Sequence, residues 1–339
     1  MKVLVTGGAG FIGCNAAKRF MDEGHEVLVL DNMSRRGADL NVAWLKSCGP
    51  VTVLTQDIRD FDSLNTIIGE HKDLDAIIHL AGQVAVTASV ANPREDFESN
   101  ALGTFNLLEA VRLNELDPVF IEASTNKVYG ALEHLEIVEE ETRYRWKSLD
   151  DGIGEDMPLD FHSPYGCSKG GADQYVRDYH RIYGVRSVVF RQSCIYGPRQ
   201  FGIEDQGWVA WFTIATMLER PITICGTGKQ VRDVLFVDDL IDAFVLAIEK
   251  IDMAAGRVYN IGGGPSNTIS LLELLHLLET IYGRRARLSY TDARPGDQPV
   301  FVCNIARIHN ELGWRPRVGV EQGVRQLAAW VDANKGLFR

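Results

Sequence analysis

The stretch VLVTGGAGFIG, residues 3–13, packs a strand, a turn and the start of a helix into one short segment. Val3 to Thr6 read as a buried strand, and glycines at 7, 10 and 13 follow in a G-x-x-G-x-x-G spacing. Glycine permits a tight turn and lets backbone N–H groups come close to an anion. The helix that follows presents its unpaired N–H groups and the positive end of its dipole to the same anion. Strand, glycine turn and helix in this order predict a pyrophosphate site at the first turn of a doubly wound parallel sheet, with Gly7, Gly10 and Gly13 lining it. The next strand ends in Asp31, 18 positions after Gly13. A carboxylate there accepts from the hydroxyls of an adenosine ribose and repels a 2′-phosphate, which favours NAD over NADP. Arg35 and Arg36 pull slightly the other way.

Outward from this turn, strand-like and helix-like segments alternate. The expected strands are Lys2–Thr6, Glu26–Leu30, Val51–Leu54, Ala76–Leu80, Val119–Ala123 and Ser187–Arg191. Helical patterns such as Ile12–Glu23, Ser63–Glu70, Pro93–Asn114 and Pro164–Tyr183 separate them. The predicted class is α/β, a Rossmann-like doubly wound parallel sheet with a smaller C-terminal substrate-binding lobe. Residues 1–191 are expected to form the nucleotide-binding domain and 192–339 mainly the lobe, with a strand–helix segment near 234–262 rejoining the first domain. After Arg191 the rhythm changes to a polar, glycine-rich loop, a helix to Glu219, a short strand pair around ITICGTGKQVRD and two or three further helices. GGGPS after Asn260 reads as a strand-to-helix turn.

The 339 residues carry 45% hydrophobic and 24% charged side chains, the profile of a globular protein. The net charge of −11 argues against nucleic acid or an anionic membrane as the main partner. The six cysteines form no CxxC pair, and the histidines no ligand-spaced pair, so no metal site is expected. No apolar run reaches the ~20 residues of a membrane span, and the N-terminal apolar run is too short for a signal peptide. These features predict a cytoplasmic protein with free thiols.

A second anchor is YGCSK, residues 165–169, just after Ser163-Pro164, a good helix start. Of the ten tyrosines only Tyr165 has a lysine at i+4, the same face of a helix. An ammonium beside a phenol favours the phenolate, lowers its pKa from about 10 and makes a general base. Strand five brings Ser124 and Thr125 to the carboxyl edge of the sheet, where such folds bind ligands. Thr125 to hold an alcohol, Tyr165 to take its proton and Lys169 to tune the phenol make a proton-handling set.

These residues, with Asp31-Asn32, Asp57-Ile58, HLAGQ, Asn100, YGPRQ, Arg232-Asp233, YNIGGG and RPGDQ, resemble the extended short-chain dehydrogenase/reductases that act on nucleotide sugars. The likeness spans nearly the whole chain. Within that superfamily STNKVYG, LDFHSPYGCSKGGADQY, YGPRQFGIEDQGWVAWF and GKQVRDVL are most similar to epimerases of CDP-hexoses. The resemblance implies that NAD contacts Gly7, Phe11, Ile12, Asp31, Asn32, Ser34, Arg35, Asp57, Ile58, Ala81, Gln83, Asn100, Ser124, Tyr165 and Lys169. It implies a nucleotide-diphosphate sugar, a CDP-hexose, held by Gln83, Thr125, Asn126, Gln206, Arg232 and Arg294, and a homodimer or homotetramer. Many relatives place an asparagine near the diphosphate where this chain reads Ser193-Cys194.

The sugar dehydratases of that superfamily carry an Asp-Glu pair directly after the threonine. Asn126 and Lys127 stand there instead, which argues for reversible oxidation of one hydroxyl without loss of water. Inversion at carbon 2 of a CDP-hexose is the leading expectation. A UDP-hexose 4-epimerase is the alternative, and a non-catalytic NAD-binding regulator the reading from another class. His79 is expected as a packed or hydrogen-bonded core residue.

Overall fold

The structure, a computed structural model, describes residues 1–294 and 297–338; the RPGDQ stretch therefore falls partly outside the described residues. Seven short β-rich segments form one sheet: β1 (Lys2–Thr6), β2 (Glu26–Asp31), β3 (Thr52–Thr55), β4 (Ala76–His79), β5 (Val119–Thr125), β6 (Ser187–Gln192) and β7 (Val258–Ile261). Their order is β7-β6-β5-β4-β1-β2-β3 and every pairing is parallel. The direction of winding reverses between β1 and β4. A crevice therefore opens outside the carboxyl ends of those strands.

A sheet buried on both faces needs apolar residues at both parities. Val3, Val5, Val27, Val29, Ile78 and Ile121 pack on one face with Phe20 of α1 (Phe11–Asp22), Leu45 of α2 (Ala38–Cys48) and Phe244 of α6 (Val237–Glu249). Leu4, Leu28, Leu30, Ile77 and Phe120 face the other way, toward α3 (Phe61–Glu70), α4 (Gly103–Leu113) and α5 (Ser163–Tyr183). Each such side chain contributes about 1.5–3 kcal/mol on burial.

A second core, with Phe212, Val234, Phe236, Leu274, Leu278 and Val324, belongs to the later segments. Its strand Val231–Phe236 pairs with Thr268–Ser270, Val300–Phe301 and Cys194–Tyr196. Ser270 and Glu273 close a capping box on the helix Leu271–Tyr282. Among the described residues no helix is long and apolar enough to cross a membrane.

Several sequence expectations are corrected. Ile222–Cys225 and Val231–Phe236 are strands but do not pair with each other; the first pairs in parallel with Leu288–Thr291. Local alternation identifies a strand but not its partner. The expected helix Pro93–Asn114 divides into Pro93–Phe97, a π-helical turn Glu98–Leu102 and α4. The π turn coincides with a fully buried Asn100, a polar residue that needs several partners. The glycines after Asn260 lead first into the short strand Thr268–Ser270, and only then into a helix. Gly262 is packed so closely that a Cβ would lie 2.1 Å from Asp233 Oδ2.

Candidate active site

The first turn is built to leave room for a ligand's phosphates. Gly7 has φ +66°, and a Cβ there would lie 2.7 Å from the backbone N of Ala81. A Cβ on Gly13 would meet Gly7 O at 2.3 Å, so helix and strand approach each other only with glycine present. Gly10 caps α1 and its N–H bonds to Gly7 O (2.9 Å). The N–H groups of Phe11 and Ile12 have no acceptor among the described residues, which leaves them for an anion.

At the end of β2, Asp31 braces this turn: Oδ2 accepts from Ala9 N (3.0 Å) and Oδ1 from Met33 N (2.8 Å). Burial pushes its carboxyl above the usual value, against those hydrogen bonds and Arg35. Each oxygen keeps a lone pair for a ribose hydroxyl. Asn32 donates to Asp57 Oδ2 (2.9 Å) and accepts from Ser34 Oγ (2.7 Å). The Arg59 guanidinium grips Asp57 with two hydrogen bonds and holds its pKa down to about 2. Ile58 is buried against Gly103, and Ala81 lies half-buried beside Gly7. These predicted cofactor residues form one continuous edge. A dinucleotide fits the cradle by its excluded Cβ positions, its free helix-terminal donors and its acidic partner.

The proton-handling residues meet where β5 faces α5. The spacing of Tyr165 and Lys169 puts both on the inner side of α5, and both are buried. Ser163 Oγ accepts from Gly166 N (3.2 Å), so the hydroxyl caps as expected, although the helix is already counted from Ser163. Thr125, at the end of β5, lies near enough to the Tyr165 hydroxyl to favour its phenolate. One expectation is overturned: the Tyr165 hydroxyl is raised, not lowered, in pKa. Burial dominates, Lys169 and Thr125 pull it down, and Asp96 and Glu122 add to the rise. Burial also opposes the Lys169 charge, yet attraction to Glu122, Tyr165 and Asp173 leaves the ammonium above its ordinary value. Ser124, a predicted cofactor contact, is buried and donates to Asp173 Oδ2 (2.9 Å).

Asn100 and Gln83 share a hub at Asp96. Gln83 Nε2 donates to Asp96 Oδ1 (2.9 Å), Asn100 Nδ2 to the same oxygen (3.2 Å), and Ser168 to Oδ2 (2.5 Å). Asn100 Oδ1 accepts from Gln83 N (2.9 Å). His79 is a satisfied core residue. Thr104 donates to Asn100 O (2.6 Å), so it accepts from His79 Nε2 (3.0 Å), leaving Nδ1 to accept from Thr6 (2.7 Å). Burial holds this imidazole neutral, with its pKa lowered to about 4.

The predicted substrate residues are joined by segments that differ from one another. Asn126 accepts from Thr125 Oγ1 (3.3 Å) and reaches Gln298 Oε1 (3.5 Å). Arg232 pairs with Asp297 (2.7 Å), and Lys127 Nζ stands 3.9 Å from the same carboxylate. Burial and the neighbouring Arg232 lower the Lys127 pKa to about 8. Arg294 is not brought to that carboxylate; it pairs with Asp205 (2.8 Å) and Glu204 O (3.1 Å). Gln206, in the same loop, accepts from Arg35 across the crevice. Ser193 donates to Asp233 Oδ1 (2.5 Å) rather than facing the cations, whereas Cys194 lies in the field of Arg232 and Lys127. His162 is exposed and pairs with Asp160 (3.0 Å).

Sequence reasoning missed Glu122, Asp96 and the buried pair Arg191–Asp173 (2.8 Å). One signal was available. A glutamate inside the apolar strand VFIEAST has no place in a doubly covered sheet unless something opposite it is charged.

Fold and site together define a dinucleotide-dependent α/β enzyme of the extended short-chain dehydrogenase/reductase class. Residues 4–327 match the model of the GDP-mannose 4,6 dehydratase family, and the chain belongs to that family. It is similar to CDP-paratose 2-epimerase of Salmonella typhi, at 46% identity over 98% of this chain and 100% of the relative. Among solved structures it resembles the UDP-glucose 4-epimerase of Thermotoga maritima, with a TM-score of 0.85, 30% identity and 99% and 100% of the two chains covered. It also resembles the NAD-bound dTDP-glucose 4,6-dehydratase of Streptomyces venezuelae, with a TM-score of 0.85, 28% identity and 100% and 99% covered. The chain is an NAD-dependent enzyme of this class.

Proposed function

We propose that the chain is a cytoplasmic CDP-hexose 2-epimerase that inverts carbon 2 of a sugar of the CDP-paratose type. The observation that carries this reading is the company of the triad. Thr125, Tyr165 and Lys169 converge, while the positions directly after the threonine hold an amide and an ammonium instead of a carboxylate pair. Asn126 has no proton to give or take at neutral pH, so the chemistry rests on the alcohol alone. The 46% identity to the Salmonella typhi enzyme supports the choice of CDP-hexose.

The glycine turn, Asp31 and the residues around Asp57 and Asn100 would hold NAD, which would supply reversible hydride transfer at the sugar carbon. Thr125 holds the sugar hydroxyl, and Tyr165 takes its proton as the carbon becomes a ketone. Lys169 keeps positive charge beside the phenolate so formed. The sugar must then turn over without escaping. That requires a firm grip on the diphosphate, for which Arg232 and Arg294 carry the planar donor forks, with Lys127 as a third cation. Tyr165 finally returns its proton to the same oxygen as the carbon is reduced from its opposite face.

The test is turnover of CDP-paratose in deuterated water, with NADH absorbance followed and the product read by NMR. Conversion to CDP-tyvelose with no net NADH and no deuterium at carbon 2 is expected. Deuterium at carbon 2 means proton exchange instead of hydride transfer. No conversion, followed by turnover of UDP-hexoses, selects the 4-epimerase reading. Tight NAD binding without turnover of any nucleotide sugar selects a non-catalytic role.

A further inference from the structure

Glu122 is fully buried in β5, opposite His79 of β4 in the parallel register. Side chains alternate along a strand, so Glu122 shares its face with Phe120 and Ser124, the face covered by α5. Along α5, Tyr165, Lys169 and Asp173 recur every four residues and form a polar ladder against that face. Glu122 Oε1 accepts from Lys169 Nζ at 2.7 Å. Its other oxygen has no hydrogen-bond partner among the described residues. The nearest imidazole, His79 Nε2, lies 3.9 Å away and has already given its proton to Thr104.

A carboxylate enclosed in this way costs several kcal/mol of desolvation unless a cation answers it, and apolar residues of like volume generally stabilise a core better. Packing alone therefore does not explain Glu122. Its geometry acts on the chemistry in two ways. It engages one of the three Lys169 N–H groups, fixing the ammonium against the strand and leaving two for the crevice. It also places a negative charge 2.7 Å from that ammonium, with a field that reaches the Tyr165 hydroxyl. An epimerase base must both take and return the same proton, and a phenol made too acidic returns it poorly.

We propose that Glu122 is a positioning residue of the reaction: its carboxylate fixes the Lys169 ammonium between β5 and α5 and offsets part of that ammonium's field at the Tyr165 hydroxyl. The proposal rests on Tyr165 being the base. The other charges facing the pair are Asp173 on α5, itself paired with Arg191 of β6, Asp96 from the helix before the π turn, and Arg35 after β2. None of them touches both Tyr165 and Lys169 by a hydrogen bond. His79 stays neutral and leaves the field of Glu122 unscreened.

The sign of the effect follows. Without the Glu122 charge the phenolate is less disfavoured and the ammonium less favoured, so both groups titrate at lower pH. The experiment is a pH titration of tyrosine Cζ-labelled full-length protein by NMR with NAD bound, in the wild type and in Glu122→Gln. The Tyr165 resonance is assigned by its absence in Tyr165→Phe. The expected result is a Tyr165 midpoint lower by about one pH unit in Glu122→Gln, with the acid limb of the turnover profile moving the same way. A midpoint that stays or rises overturns the proposal. Where Glu122→Gln does not fold, Glu122→Asp carries the test: it withdraws the charge by one methylene and is expected to shift the midpoint in the same direction by less. An unmoved midpoint in that variant overturns the proposal equally. The titration needs no substrate, so a failure of the CDP-hexose reading appears only in turnover and leaves this result standing.

Discussion

At the scale of single residues, Tyr165 shows what spacing tells and what it hides. The i+4 relation to Lys169 was legible in the sequence because helix geometry is local. The direction of the pKa shift was not, because burial of the phenol and the charges of Asp96 and Glu122 arrive from elements distant in sequence. Tyr165→Phe is predicted to lower turnover at least about 100-fold, the usual worth of a positioned general base, while far-UV circular dichroism and NAD content stay as in the wild type. Turnover near the wild-type rate would remove Tyr165 from its role. A raised phenol pKa also fixes a direction for pH. The base form grows as pH rises, so turnover is predicted to climb on the alkaline side of neutrality. Lys169→Met removes the ammonium that pulls the phenol down, so the same limb moves to higher pH. A pH profile of kcat/KM checks both.

At the scale of elements, the glycine turn and the sheet were read correctly because each strand and helix carries its own period. The π turn and the strand partners around Val231 were not, since both depend on contacts that no local pattern encodes. Gly13→Ala tests the turn. Its Cβ would lie 2.3 Å from Gly7 O and 2.6 Å from Gly8 Cα, both backbone atoms with little freedom to yield. The variant is predicted to lose about 1–3 kcal/mol in urea unfolding and to bind NAD at least about tenfold more weakly by calorimetry. The Asp57 loop makes a second test. Its carboxyl is depressed to about 2 by Arg59, so the pair contributes stability above the ordinary carboxylate pKa and loses it as pH falls from about 4 toward 2. Arg59 is partly exposed and solvent screens the pair, which reduces the contribution to about 1 kcal/mol. Asp57→Asn is therefore predicted to be less stable by that amount at pH 7, with the difference shrinking through the same acid window.

At the scale of the whole molecule, two surfaces matter. One is the crevice, where Arg35 reaches Gln206 and Arg294 reaches Asp205, so a single loop ties the dinucleotide edge to the substrate arginines. The other is the outer side of α5. Tyr175, Ile182 and Tyr183 are 49%, 65% and 54% exposed, and the first two are seven positions apart on one helix face. Phe97 and Leu113, from the segments flanking the π turn and α4, are also more than half exposed. An apolar group of this kind on a protein of net charge −11 calls for a cover, and a second copy presenting the same helices supplies one by two-fold symmetry. We predict a homodimer or homotetramer held by these faces. Ile182→Glu combined with Tyr175→Ser puts a carboxylate and a hydroxyl at the centre of the face. Light scattering after gel filtration is expected to show a smaller assembly, with the circular dichroism spectrum kept, because neither side chain belongs to the core. An unchanged assembly mass would move the interface elsewhere. The inner side of α5 carries Tyr165 and Lys169, so dissociation is also expected to reduce turnover by loosening the helix that holds them, with the larger change in kcat rather than in KM.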